Sequence, residues 1–272
     1  MTVLRALCST GAFSHDPDLT TIDIVTSGMR RLPGTPFEVI FYHSWYENAQ
    51  QIARQITAVD ASTPVVHAEK SIGPLLVDAG HREQVFDLFA INCRFARAIG
   101  AGILVLHLWG LPDSDTRIDD QLATLPRLLD IADRYQLTVS VETLLCRSST
   151  PIDVAARLLS TDARVKITAD TGFLAMHDQL RAVISDDRLW TSTGINHVHL
   201  KDYADPSVGW EQAGYLHPGQ GSLALTDFVA GLKTRHYSGS ITLEAPAPDE
   251  HGVPDVDRIQ RSLEWIETAL ND

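Results

Sequence analysis

Along the chain, short runs of apolar and β-branched residues alternate with longer stretches whose apolar positions recur every three or four residues. The runs are VLRALCS (3–9), FEVIFYHS (37–44), PVVHAE (64–69), GILVLHLWG (102–110), LTVSVETL (137–144), RVKITADTG (164–172), INHVHLKD (195–202) and GSITLEAP (239–246). Between and after them lie amphipathic stretches, among them DLTTIDIVTSGMRRL (18–32), ENAQQIARQITAVD (47–60), HREQVFDLFAINCRFARAIG (81–100), QLATLPRLLDIADRYQ (121–136) and VDRIQRSLEWIETAL (256–270). The runs have the length of strands and the stretches the periodicity of helices. Eight strand–helix pairs in strict alternation require parallel pairing through right-handed crossovers, and eight strands close into a barrel. The expectation is therefore one α/β domain over residues 1–272, a single (β/α)8 TIM barrel. No Gly/Ser/Pro-rich linker divides it. The alternative, an open doubly wound sheet with a dinucleotide site, lacks its GxGxxG turn, since the first strand is followed by CSTGAFSHDPD (8–18).

Strand side chains alternate between two faces, one meeting the helices and the other the barrel axis. In GINHVHLKDY (194–203) Val198 and Leu200 suit the helix layer, so His197, His199 and Lys201 point to the axis. The same parity sends Thr138, Ser140 and Glu142 inward on the fifth strand, Lys166, Thr168 and Asp170 on the sixth, and Thr242 and Glu244 on the eighth. Each of these four strands thus ends in an inward ionisable group: Glu142, Asp170, His199 or Glu244. In this fold the strands' C-terminal ends carry the active site. Three carboxylates in one mouth need a compensating cation, because an unpaired buried carboxylate costs several kcal/mol or takes up a proton. Three carboxylates and one imidazole form an oxygen-rich set suited first to Mn²⁺, then to Mg²⁺ or Co²⁺, with Zn²⁺ further down.

Composition narrows the setting. Of the 272 residues 44% are hydrophobic and 21% charged, as in a folded globular protein. With 22 Lys and Arg against 35 Asp and Glu, the net charge of −13 opposes nucleic-acid binding, and no basic track overcomes it. The N-terminal MTVLRALCSTGAFSHD has no basic start before an apolar run, and no stretch of about 18 apolar residues occurs, so export and membrane insertion are not expected. Cys8, Cys93 and Cys146 form no CxxC pair, which fits small buried residues in a reducing cytoplasm.

The fragments VETL (141–144), ADTG (169–172), HVHLKD (197–202) with the later PGQG (218–221), and LEAP (243–246) resemble, in order and in place, the sugar-phosphate isomerase/epimerase superfamily with its xylose-isomerase-like barrel. The resemblance spans essentially the whole chain. It implies one divalent ion held by Glu142, Asp170, His199 and Glu244, the same set that parity selects. Many members carry a His three residues after the strand-six Asp, where it contacts substrate; here that position is Phe173, and the next His is His177, a candidate substitute.

The activity so implied is a metal-dependent isomerase or epimerase acting on a small keto-sugar or related polyol ketone through an enediolate. Glu142 and Glu244 would exchange the proton from opposite sides. Lys201 is a candidate donor to a substrate oxygen, or else the partner of a rim carboxylate such as Asp202. His67 and His107 point inward on strands three and four and could bind substrate hydroxyls, whereas His197, one layer deeper than His199, reads as a core histidine. His217 opens HPGQG (217–221), a turn at the place where such barrels often bind phosphate through backbone N–H groups. Trp109, Trp45 and Phe13 could stack on a sugar face or cap the barrel. The resemblance also admits a dehydratase of inositol- or shikimate-type ketones, a non-catalytic sugar-binding protein and an apurinic endonuclease. The last needs the missing DxxH and a less acidic surface. Helix faces leave a homo-oligomer open.

Overall fold

In the computed structural model, which describes residues 5–14, 20–110, 113–191, 194–208, 214–248 and 253–271, parallel strands close into a barrel. Its strands, in chain order, are β1 (Arg5–Ser9), β2 (Phe37–Ile40), β3 (Val65–His67), β4 (Ile103–Leu106), β5 (Thr138–Glu142), β6 (Lys166–Asp170), β7 (Ile195–Leu200) and β10 (Ser240–Leu243). A two-residue antiparallel ladder, β8 (Asp202–Tyr203) with β9 (Tyr215–Leu216), sits in the connection between β7 and β10. Each barrel strand pairs with its neighbour in sequence, and β1 closes on β10 with Cys8 opposite Leu243. The (β/α)8 barrel expected from the alternation is the fold observed. Residues 3–4 of the first expected strand and 18–19 of the first expected helix lie outside the described residues.

The helices follow the amphipathic stretches: Ile22–Arg30, Ala49–Thr57, Arg82–Ala98, Leu125–Asp133, Pro151–Thr161, Leu225–Thr234 and Val256–Asn271. Two departures have local causes. The stretch 121–136 is not one helix. Ile118–Leu122 ends at Ala123, and Leu125–Asp133 restarts with Pro126 in its first turn, where the missing N–H has no partner to lose. Between β6 and β7 only short helices form, Thr171–Met176 and Ala182–Ser185. Asp178 adopts φ 52° just after the first, a left-handed turn that stops it.

Apolar residues pack mainly between the strands and the helix layer. Inside the barrel a small apolar cluster of Leu7, Val65 and Val105 accompanies a run of polar side chains, because strands β2, β5, β6, β7 and β10 turn Glu38, Ser140, Thr168, His197 and Thr242 to the axis, all buried. These satisfy one another: Ser140 Oγ and Thr168 Oγ1 are 2.6 Å apart, and Ser140 Oγ donates to Asn196 Oδ1 at 2.7 Å. The β6–β7 register slips between Ile167 and Thr168, bringing Thr168 opposite His197 and Asp170 opposite His199. The axis is thus a hydrogen-bonded polar column that rises to the C-terminal mouth.

Candidate metal centre

Four strand ends converge at that mouth. One ligand atom from each of Glu142, Asp170, His199 and Glu244 lies within 4.8 Å of the others. His199 Nδ1 is 3.1 Å from Glu142 Oε1, 3.6 Å from Glu244 Oε2 and 4.0 Å from Asp170 Oδ2. The first three residues are fully buried, and the Glu244 side chain is 14% exposed, toward the mouth. His199 Nδ1 and Asp170 Oδ2 make no well-directed hydrogen bond, although both are buried. Asp170 Oδ2 has the Lys201 ammonium 2.7 Å away and His199 Nδ1 has only carboxylates around it; buried atoms so short of directed hydrogen bonds are uncommon. Two of them turned toward one point, with two further carboxylates around it, fit a divalent cation of the oxygen-preferring class.

Local structure fixes each group. Asp170 ends β6 and caps the helix Thr171–Met176, its Oδ1 accepting from Phe173 N at 2.9 Å, so only Oδ2 is left for the site. Gly172, in the same ADTG fragment, has no substitute: a Cβ there would come within 2.2 Å of Tyr203. His199 Nε2 donates to Glu38 (3.0 Å), which orients the ring with Nδ1 toward the carboxylates. Glu142 Oε2 accepts from His107 Nε2 at 2.8 Å and has His67 Nε2 at 3.2 Å. Lys201 Nζ donates to Glu244 Oε2 at 2.5 Å and stands 2.7 Å from Asp170 Oδ2.

The electrostatics show a shortage of positive charge. Burial alone would raise Glu142, but His199 and His107 hold its carboxyl well below the usual range. Glu244 is likewise raised by burial but brought down to about 2 by Lys201 and His199. Asp170, despite Lys201, is pushed up to about 7, by burial first and then by the charges of Glu142 and Glu244. Burial disfavours the cationic form of His199, yet Glu38, Glu142 and Glu244 together hold it well above its ordinary value. One ammonium cannot neutralise both carboxylates it touches, so without a metal Asp170 keeps its proton up to near-neutral pH.

Above this cluster opens a cavity of 530 Å³, within the usual range for a small-molecule site. Glu142 and Glu244 reach its wall, whereas Asp170 and His199 lie beneath it. Of the other expected contacts, His107 and Lys201 line the cavity and His67, Trp109, His177 and His217 do not. His67 is buried below, its Nδ1 donating to Ala68 O at 2.7 Å. Trp109 Nε1 donates to Leu145 O (3.1 Å), and His177 Nε2 accepts from Cys146 N (3.2 Å). His217 Nδ1 sits 2.7 Å from Ser262 Oγ. Trp45 and Phe13 are buried in the main core, Trp45 against Phe41, Tyr42 and Phe95. Of these only His67 lies on a barrel strand; the others stand beyond strand ends, where local packing and hydrogen bonds set their direction.

Two further readings change. Lys201 does not pair with Asp202. That carboxylate accepts from the backbone N–H groups of Tyr203, Gly219, Gly221 and Leu223 at 2.9–3.1 Å, so the donors of the PGQG turn serve an internal anion rather than a phosphate. His197 is the hydrogen-bonded core histidine expected: Nε2 donates to Glu38 at 2.8 Å, Nδ1 accepts from Ser240 Oγ at 2.9 Å, and burial holds its pKa low. The sequence reading passed over Glu38, Glu69, Lys70, Phe41, Tyr42 and Tyr215. For Glu38 the signal was present, since it is flanked by outward Phe37 and Val39 in FEVI and only parity applied to β2 was needed. Tyr215 stands on the two-residue β9 and the others on loops, where alternation gives no guidance.

Residues 20–269 match the family model described as xylose isomerase-like TIM barrel. The chain belongs to this family. Solved structures share the fold at low identity. The D-allulose 3-epimerase of Methylomonas sp. is 15% identical, with 99% of each chain covered and a TM-score of 0.74. The 3-keto-D-glucoside 4-epimerase of E. coli is 18% identical, covering 98% of this chain and 100% of that one, with a TM-score of 0.69. The D-psicose 3-epimerase of Clostridium cellulolyticum H10, solved with D-tagatose, is 11% identical over 98% and 99% of the two chains, with a TM-score of 0.71. Comparison with curated proteins gave no match.

Proposed function

We propose that the protein is a divalent-metal-dependent isomerase or epimerase of a small, uncharged keto-sugar or related polyol ketone, with Mn²⁺ as the first choice of ion. The observation that carries this reading is the four-residue donor set, converging within 4.8 Å at the floor of a ligand-sized cavity and short of positive charge. The sugar epimerases that share the fold support the substrate class.

Glu142, Asp170, His199 and Glu244 would hold the ion, which when bound supplies a Lewis acid for the oxygens next to the reacting carbon. Proton transfer falls to Glu142 and Glu244, because they are the two of the four that reach the cavity wall. One carboxylate takes the proton from the carbon beside the carbonyl, the C–H electron pair passes into an enediolate, and a proton returns to the opposite face or to the neighbouring carbon. His107, pushed down to about 4 by burial, is neutral and donates its Nε2 proton to Glu142, which fixes the direction of that carboxylate. Phe41, Tyr42, Phe173 and Tyr215 offer the flat apolar surfaces on which sugar C–H faces rest.

An uncharged substrate follows from the cations available. Among the described residues lining the cavity only Lys70 and Lys201 are cationic by side chain, and Lys201 is already held by two carboxylates. A phosphate ester calls on more side-chain cations or on free backbone N–H groups, and those of Gly219 and Gly221 in the PGQG turn are already taken by Asp202. The test is incubation of the Mn²⁺-loaded protein with a panel of free ketoses in D₂O, read by NMR and mass. Deuterium at one carbon of an isomerised product, abolished by EDTA, is expected. Turnover confined to sugar phosphates would overturn the substrate class, and a product lighter by one water would assign a dehydratase.

A further inference from the structure

Glu38 is a buried carboxylate on β2, the strand across the barrel mouth from β6, and its two oxygens face two imidazoles of β7. His197 Nε2 donates to its Oε2 at 2.8 Å, and His199 Nε2 approaches Oε1 at 3.0 Å and Oε2 at 3.2 Å. A carboxylate can only accept, so both Nε2 atoms carry hydrogen. With its Nε2 donating to Glu38, the neutral His197 ring has Nδ1 free to accept from Ser240 Oγ at 2.9 Å.

We infer that Glu38 is a positioning residue for the metal centre: by accepting the Nε2 proton of His199 it commits that ring's Nδ1 to the ion and sets the strength with which the ion is held. Its registered place supports this. Glu38 sits opposite Val65 on β3, where an apolar residue would pack well, yet the strand carries a charge with no route to solvent. Such a group is costly unless something gains from it. Ligating imidazoles gain in basicity and lose rotational freedom when the second nitrogen donates to a carboxylate, and loss of that partner typically weakens metal binding by about 10- to 100-fold. This inference rests on the metal centre proposed above but not on the sugar chemistry.

Two measurements test it. In wild-type protein labelled with ¹⁵N-histidine, His199 and His197 are each expected to show a protonated Nε2 with a downfield, slowly exchanging proton, both metal-free and Mg²⁺-loaded, while Nδ1 of His199 alone responds to the ion. In Glu38→Gln, which keeps the volume, the His199 proton is expected to move upfield and Mn²⁺ affinity, by competition with a fluorescent chelator, to fall about 10- to 100-fold. Mn²⁺ affinity within about twofold of wild type in folded E38Q would overturn the inference. So would an unprotonated His199 Nε2 in the wild type, a result available even if the variant does not fold. Failure of the wild type to take up any divalent ion would instead remove the metal centre, leaving the Nε2 protons to report the contact by themselves.

Discussion

Lys201 supplies the sharpest physical test, because its ammonium stands on the carboxylates that the metal would use. The side chain is buried, with Nζ 2.7 Å from Asp170 Oδ2 and 2.5 Å from Glu244 Oε2, and lies 5.1 and 5.0 Å over the rings of Phe173 and Tyr215. Lys201→Met keeps most of the volume and removes the charge. Deleting one partner of a buried ion pair leaves the other charge uncompensated, at a cost of about 3–5 kcal/mol. In a chain of this size each kcal/mol moves the melting temperature by about 2 °C, so metal-free K201M is expected to melt about 6–10 °C below wild type. Saturating Mn²⁺ places a second, doubly charged partner among Glu142, Asp170 and Glu244, and the deficit is expected to shrink to less than half. The assay is thermal unfolding of both proteins in EDTA and in Mn²⁺. A metal-free loss under about 1 kcal/mol, or a loss of equal size in both conditions, would refute the idea that ammonium and ion answer the same negative charge.

Other expectations follow from the same geometry. Glu142→Gln and Glu244→Gln are each expected to lower kcat by about 10²–10⁴-fold in the folded, metal-loaded protein, and near-normal turnover in either would remove that residue from proton transfer. Metal uptake should weaken by about tenfold or more per pH unit below 7, because Asp170, pushed up to about 7, and His199, held well above its ordinary value, must both shed protons to ligate. The sign for folding is the reverse, because these raised groups bind protons in the metal-free folded state. The contribution of Asp170 is therefore present at low pH and lost as pH rises toward and through 7, and that of His199 is lost at higher pH, above its ordinary range. Calorimetry in buffers of different ionisation enthalpy counts the released protons, and a pH-independent affinity between 5.5 and 7.5 would contradict the assignment. Trp109→Phe removes a buried donor to Leu145 O but touches no cavity wall, so it is expected to cost about 1–3 kcal/mol of stability and leave KM within about twofold.

Parity read the β5, β6, β7 and β10 ends correctly as inward groups because a two-residue repeat survives whatever the loops do. Glu142, Asp170, His199 and Glu244 lie on regular backbone, and register carries Asp170 to His199 without further instruction. Where the chain leaves the sheet the rule has no force. Trp109, His177 and His217 stand in connections whose hydrogen bonds to Leu145, Cys146 and Ser262 depend on residues far away in sequence. The PGQG turn was ambiguous for the same reason, since only the folded chain shows Asp202 filling its N–H groups.

By itself, then, the order of apolar runs and amphipathic stretches determined a closed parallel barrel and the strand tips that meet at its mouth, since periodicity and alternation are local properties of the backbone. The tertiary structure decided which of those tips reach the cavity, that Lys201 shares their charge, and that Glu38 braces His199 from the opposite side. Those relations join strands far apart along the chain, and only closure of the barrel brings them within hydrogen-bonding distance.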